Sequence, residues 1–315
     1  MGKHILVVGS INLDLVVSTN RIPQIGETIQ GNNFQTFFGG KGANQAVGVA
    51  RLGHPVRMIG RVGDDEFGQR LRRALSQAGV QAEAVRITPR TPSGVALITV
   101  ESQGRNSIVV VSGANGKLTP RDIERKLALV HSAGLILTQL EAPLETVDYL
   151  ITAAARSGVP LILDPAPAHK LPPRLLKKIA WITPNETEAS ILCGASSGAV
   201  TSENVRKFAE SLLQKGPQNV AIKLGSRGVY WATDHAHALV PAFKVRAVDS
   251  TAAGDAFNAG LAVSLMRGAA PLEAVKFASA VAALSVTRSG AQPSMPTARE
   301  VSRFLKVMEK GGNKS

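Results

Sequence analysis

The stretch "VDSTAAGDAFNAGL", Val248 to Leu261, holds six alanine or glycine residues, with one acid, Asp255, set in their midst. Thr251, Ala252, Ala253 and Gly254 precede a helical pattern whose apolar side carries Ala256, Phe257, Leu261 and Leu265. Small residues at a helix N-terminus leave backbone N–H groups open to an anion, and the helix dipole favours negative charge there. A phosphate undergoing transfer fits such a place. Asp255, ionised at neutral pH, would then accept a hydroxyl proton as the nucleophile attacks. The competing reading is an acid that only stabilises the first helical turn. The closely packed small neighbours favour catalysis.

Two further groups suit a hydroxyl-rich ligand. Asn12 and Asp14 are two apart on an extended segment and share a face, with Leu13 and Leu15 on the other. An amide beside a carboxylate matches hydroxyls, which both donate and accept. Taken alone, a strand-end turn in which both bond nearby backbone is the simpler reading. In "FFGGKGANQAVG" (37–48), Gly39, Gly40 and Gly42 leave backbone exposed to a ligand, with Lys41 and Asn44 as polar contacts. It is neither a Walker A loop nor G-x-G-x-x-G, and a plain glycine turn into a helix competes evenly. His235-x-His237 has chelate spacing, but "TDHAHA" reads as an exposed loop. H-E-x-x-H, paired C-x-x-C and G-x-S-x-G are missing, so hydrolase and zinc readings lack support.

These groups need a frame. Strand-like runs "ILVVGS" (5–10), "LILTQL" (135–140), "VPLILD" (159–164) and "NVAIKLG" (219–225) alternate with helical patterns. "FGQRLRRALSQAGV" spaces Phe67, Leu71, Ala74, Leu75 and Ala78 as a helix ending at Gly79, and "LTPRDIERKLALV" opens with Thr119 as N-cap and Pro120 at the first helical position. Alternation of this kind predicts an α/β fold, a mostly parallel sheet covered by helices. Residues 12–36 and the hairpin 94–111, around the turn "ESQGRN", break the rhythm and suit a small accessory sheet. Ligands of such sheets bind beyond the strands' carboxyl ends. Asn12, Asp14, Glu141, "TPNETE" (183–188) and "LGSRG" (224–228) all fall at such ends, which predicts one composite site.

The chain of 315 residues is 44% hydrophobic, enough for one large α/β domain or two smaller ones, and disorder is expected only from 310 on. No apolar run has membrane length, the N-terminus lacks a signal pattern, and the single cysteine, Cys193, fits a reducing compartment; a cytoplasmic protein is expected. Lys and Arg exceed Asp and Glu by 13, which suits anionic ligands, but the basic residues are scattered and aromatics make up only 4%. A solvated basic surface is expected rather than a nucleic-acid or membrane partner.

"GSINLD", "FGGKGANQAVG", "PNETEA", "LGSRGV", "VDSTAAGDAFNAG" and "VTRSGAQPS" together resemble the ribokinase-like (PfkB) carbohydrate kinases over nearly the whole chain. The resemblance implies a doubly wound α/β domain with a small β-sheet lid that clasps a second subunit, segments 12–36 and 94–111 matching the lid. It implies ATP-dependent phosphorylation of the 5-hydroxyl of D-ribose, with a deoxyribose, fructose or other sugar kinase as the alternative and a non-catalytic sugar- or nucleotide-binding regulator as a distant one. By motif, Asn12, Asp14, Gly40, Lys41, Asn44 and Glu141 would hold the sugar, and Asp255 would be the base. Amides of Ala252, Ala253 and Gly254 would form the anion hole. Asn185 would contact phosphate, and Glu188 would orient Mg²⁺ through water. Gly225, Ser226 and Gly228 would flank the nucleotide. A K⁺ ion would sit by Asp249, Thr251, Arg288 (through its backbone), Gly290 and Ser294. Three positions depart from the pattern: Lys223 stands where ribose-phosphorylating members commonly have Thr, adding charge near the phosphates; Ser279 stands where Asn or His is frequent near adenine; and Ser250 replaces a Thr.

Overall fold

Each residue of the first strand, β1 (Ile5–Val8), is buried, and the strand divides its side chains between two cores: Ile5 and Val7 enter one, Leu6 and Val8 the other. A strand covered on both faces is what a parallel sheet between helix layers requires. The computed structural model describes residues 3–102, 105–196 and 198–312. The strands that follow are β2 (Asn12–Thr19), β3 (Asn33–Gly39), β4 (Val56–Gly63), β5 (Gln81–Thr88), β6 (Gly94–Glu101), β7 (Asn106–Val111), β8 (Leu135–Gln139), β9 (Leu161–Asp164), β10 (Trp181–Ile182), β11 (Asn219–Lys223), β12 (Val229–Ala232) and β13 (His237–Val240). The helices are α1 (Lys41–Arg51), α2 (Glu66–Gln77), α3 (Pro120–Glu124), α4 (Leu127–Ser132), α5 (Leu144–Arg156), α6 (Pro173–Leu176), α7 (Glu186–Cys193), α8 (Val205–Leu213), α9 (Ala253–Met266), α10 (Pro271–Ser285) and α11 (Ala298–Gly312).

Among the described residues, nine strands form the main sheet in the order β13-β12-β11-β10-β9-β8-β1-β4-β5. All its pairings from β11 to β5 are parallel, and β12 and β13 close one edge antiparallel. From β1 the chain runs outward to β4 and β5, then returns to β8 on the other side of β1. This reversal opens a crevice beyond the carboxyl ends of β1 and β8, where an α/β sheet binds its ligands. The expected α/β architecture is therefore present, and so is the accessory sheet: β3, β2, β6 and β7 make a separate four-stranded sheet, with β6 and β7 antiparallel. Gln103 and Gly104 of the expected turn lie outside the described residues.

Three local expectations need correction. The helix expected over "LTPRDIERKLALV" starts at Pro120 behind a Thr119–Asp122 capping box, but it is two short helices. Asp122 is drawn inward by Arg61 and Arg86 while it caps Thr119, and the chain leaves helical geometry at Lys126 (φ −124°, ψ 21°). His237 opens β13 and stacks on Tyr230, so "TDHAHA" is only partly loop; no group of three or more His, Cys, Asp or Glu able to hold a metal occurs among the described residues. The tail expected to be disordered from 310 is helical to Gly312, and 313–315 lie outside the described residues. No helix among the described residues is long and apolar enough to cross a membrane.

Candidate active site

Helix α9 starts at Ala253, so Ala253 and Gly254 belong to its first turn rather than preceding it. Asp255 lies in that turn, buried, with its two carboxylate oxygens held from α1. Asn44 Nδ2 donates to Oδ2 at 2.9 Å and Gln45 Nε2 to Oδ1 at 3.0 Å. Burial pushes the Asp255 carboxyl up to about 6; the Lys41 ammonium and the two amides oppose the rise, while Asp164 adds to it. The group is thus ionised at neutral pH, as expected, yet close enough to neutrality to take a proton. Burial disfavours the Lys41 charge, but Asp255, Asp164, Glu141 and Glu188 outweigh it and keep the amine protonated.

Asn12 and Asp14 project from β2 toward this pocket, both buried, while Leu13 points into the core. Asn115 Nδ2 donates to Asn12 Oδ1 at 2.7 Å, which leaves the Asn12 amide nitrogen as the donor free for a ligand. Asn44 Oδ1 is buried without a partner, an acceptor waiting for a hydroxyl. Glu141, past the end of β8, accepts from Ser10 Oγ and from the Lys41 amide. Gly40 turns the chain from β3 into α1 at φ 86°, and a Cβ there would lie 2.7 Å from the Asn12 nitrogen, so only glycine serves. The six residues expected to hold a sugar therefore cluster around Asp255. Burial, with Glu141 and Asp255 nearby, pushes the Asp14 carboxyl up to about 7.

On the other side of Gly254 lies a cleft of about 520 Å³ lined by Lys223, Gly225, Ser226, Gly228 and Ser279, all expected to contact nucleotide. The buried Ser279 hydroxyl has no partner, which suits a polar edge of a base. Lys223 ends β11 and bonds Asp164 Oδ1 at 3.0 Å, and a Cβ on Gly254 would come within 3.2 Å of its Nζ. Its charge thus sits at the α9 N-terminus. Ala252 holds a left-handed conformation (φ 59°) that starts the helix. Of the amides expected to form the anion hole, Ala253 N–H donates to Ser250 O at 3.2 Å.

The residues expected to face metal ions fall in two places. Asn185 and Glu188 cap α7 reciprocally, with Asn185 N–H donating to Glu188 Oε2 at 2.7 Å and Glu188 N–H to Asn185 Oδ1 at 2.8 Å. Burial raises the Glu188 carboxyl, which the Lys223 charge counters. With both its oxygens engaged, Glu188 suits contact with a hydrated ion rather than direct ligation. Asp249 accepts from Thr251 N–H and Gly290 N–H, each at 2.8 Å, and keeps lone pairs for a cation. The Arg288 guanidinium is turned to Glu300, leaving only its backbone near this loop, while Ser294 Oγ, buried, donates to Ala291 O. Oxygen donors with the guanidinium drawn away suit a hard cation.

Sequence reasoning missed Ser10, Gln45, Asn115, Gln139 and Asp164. Asp164 ends β9, and its place at a strand's carboxyl end was the available signal. Gln139 lies in a run whose apolar residues marked it as a strand, and Gln45 follows Asn44 in a run whose glycines, Lys41 and Asn44 carried the signal. Asn115 sits in a 3-10 turn, Gly113–Lys117, and carried no signal.

The family model for pfkB family carbohydrate kinases matches residues 3–298. A Haemophilus influenzae ribokinase is 40% identical over 97% of this chain and 99% of its own. A Salmonella typhi deoxyribokinase is 39% identical with the same coverage of both chains. The structure of Arabidopsis thaliana ribokinase complexed with ribose and ATP superposes with a TM-score of 0.90 at 37% identity, over 97% of this chain and 99% of that one. A conserved fold across that length, with the motif residues gathered at one crevice, leaves a single assignment: the chain belongs to the pfkB family of carbohydrate kinases.

Proposed function

We propose that the protein transfers the γ-phosphoryl group of ATP to the 5-hydroxyl of D-ribose, giving ribose 5-phosphate and ADP. The observation that carries this reading is Asp255, a buried carboxylate between Asn12, Asp14, Lys41 and Asn44, which would bind the sugar hydroxyls, and the cleft that begins at Gly254. The ribokinase relatives, one of them complexed with ribose and ATP, support the sugar and the nucleotide. The 5-hydroxyl oxygen attacks phosphorus as its proton passes to Asp255; the bond from phosphorus to the bridging oxygen breaks and ADP leaves. Free amides of the α9 N-terminus and the Lys41 and Lys223 charges stabilise the charge gathering on the transferred group. Mg²⁺ would be held by the nucleotide phosphates and, through water, by Glu188, neutralising phosphate charge. K⁺ would be held by Asp249 and by oxygens of Thr251, Arg288, Gly290 and Ser294, fixing the turn that enters α9. The four-stranded sheet serves as the lid and joins a second copy of the chain, and the protein works in the cytoplasm without a nucleic-acid or membrane partner.

ADP release with Mg²⁺-ATP against ribose, 2-deoxyribose and fructose, in K⁺ or Na⁺, tests this. Ribose-dependent turnover is expected, with K⁺ activation. Loss of roughly 10²–10⁴-fold is expected in Asp255→Asn, as for removal of a general base. The acid limb of kcat/KM should fall near pH 6, since Asp255 must be ionised to act. The deoxyribokinase relative, nearly as similar, supports 2-deoxyribose as the second reading. Preference for 2-deoxyribose would move the assignment there, because a site built to bond a hydroxyl penalises its absence.

A further inference from the structure

We propose that Gln45, itself held by Gln139, is a positioning residue that fixes the Asp255 carboxylate in its working orientation; the proposal rests on Asp255 being the base. Gln45 is fully buried on α1, and its Nε2 donates both to Asp255 Oδ1 at 3.0 Å and to Asp164 Oδ2 at 3.1 Å. Ionised carboxylates only accept, so the amide nitrogen is the one end of Gln45 that can face both. Its oxygen must then find a donor, and Gln139 Nε2 supplies one at 2.6 Å. A flipped Gln45 would set its carbonyl oxygen against two acids. Gln139 fixes the amide against that flip, and its own Oε1 is left buried without a partner. The two amides thus run from β8 through α1 to the base, a chain that packing alone would not demand.

Gln45 is also what separates Asp255 from Asp164, whose other oxygen binds Lys223. The charged groups around Asp255 are Lys41 on α1, Asp164 on β9, Asp14 on β2 and Lys223 on β11, with Glu141 beyond β8 and Glu188 on α7 also within this field. The Gln45 hydrogen bond favours the ionised form of Asp255. Removing that donor leaves two buried acids facing each other, and both changes raise the proton affinity of Asp255.

The test is Gln45→Leu, read by carboxyl-carbon NMR titration of Asp255 in the free protein, assigned with Asp255→Asn, and by the pH profile of kcat/KM. The Asp255 midpoint is expected to rise by about one pH unit, the worth of one hydrogen bond to a buried carboxylate. The acid limb of kcat/KM should move with it, so that the defect is largest below pH 6 and shrinks by pH 8. Gln139→Met, which frees the Gln45 amide to turn, should shift both in the same direction by less, and it decides the matter if Gln45→Leu does not fold. A folded variant with an unmoved midpoint overturns the role of Gln45, even if turnover is reduced. Turnover retained by Asp255→Asn would instead overturn the base and the positioning role with it.

Discussion

Burial beside Glu141 and Asp255 pushes the Asp14 carboxyl up to about 7, well above an ordinary aspartate. The folded state therefore binds this proton more tightly than the unfolded chain. The sign follows from linkage: the group adds nothing unfavourable below pH 4, costs progressively more as pH rises toward 7, and opposes folding fully above that. Asp14→Asn, which cannot ionise, is expected to raise the thermal midpoint of the ligand-free protein at pH 8 and to change it much less at pH 5. The gain at pH 8 should be on the order of a few kcal/mol at most, since about three units separate the two states. Equal shifts at both pH values would show that Asp14 is not strained by its charge. The same carboxylate is the acceptor offered to a sugar hydroxyl, so Asp14→Ala should weaken ribose binding roughly 10- to 100-fold, the worth of a charged hydrogen bond, and leave ATP binding nearly unchanged. Calorimetry with each ligand separates the two, and equal losses would place Asp14 outside the sugar pocket.

The turn from β3 into α1 determines whether these side chains meet at all. Gly42 lies so close to β1's end that a Cβ would stand 2.7 Å from the carbonyl carbon of Gly9 and the nitrogen of Ser10, backbone that cannot swing aside. Gly42→Ala is expected to destabilise by ~1–3 kcal/mol, as other overpacked positions do, and to lower sugar affinity with it by shifting Lys41, Asn44 and Gln45. Unchanged stability in thermal unfolding would mean that the two elements separate freely. The glycines of this turn could be picked out in the sequence because closeness to backbone is a local demand. Strands β1, β8, β9 and β11, the α2 helix with its end at Gly79 and the Thr119 cap could be picked out for similar reasons: apolar runs and cap residues report on their own neighbourhoods. Gln45 could not. Helix α1 is buried from Gly42 to Val49, so no polar face marks its residues, and the partners of Gln45 lie 119 and 210 residues away. The split between α3 and α4 was hidden in the same way, because Arg61 and Arg86, which hold Asp122, come from distant strands.

The two sheets differ in what covers them. The main sheet has a core on each face, whereas in the four-stranded sheet every residue of β7 is exposed, Ile108, Val109, Val110 and Val111 among them. Registration of the strands puts Ala96 and Val110 on the face of Asp14 and Leu15, Leu97 and Val109 on the other, where Phe34 also lies. A sugar held by Asp14 would lie on the first face and leave the second open. Exposed apolar strands invite pairing with another chain, and a second copy presenting the same surface would close it symmetrically. Each copy carries an excess of 13 positive charges, so repulsion opposes the pairing and added salt should tighten it. Light scattering of the wild-type protein at micromolar concentration is expected to give the mass of two chains, and Leu97→Lys/Val109→Lys the mass of one, with its main-sheet core and Asp255 undisturbed. A wild-type protein that runs as one chain at both low and high salt, or a double-lysine variant that stays paired, would take the lid surface out of the assembly.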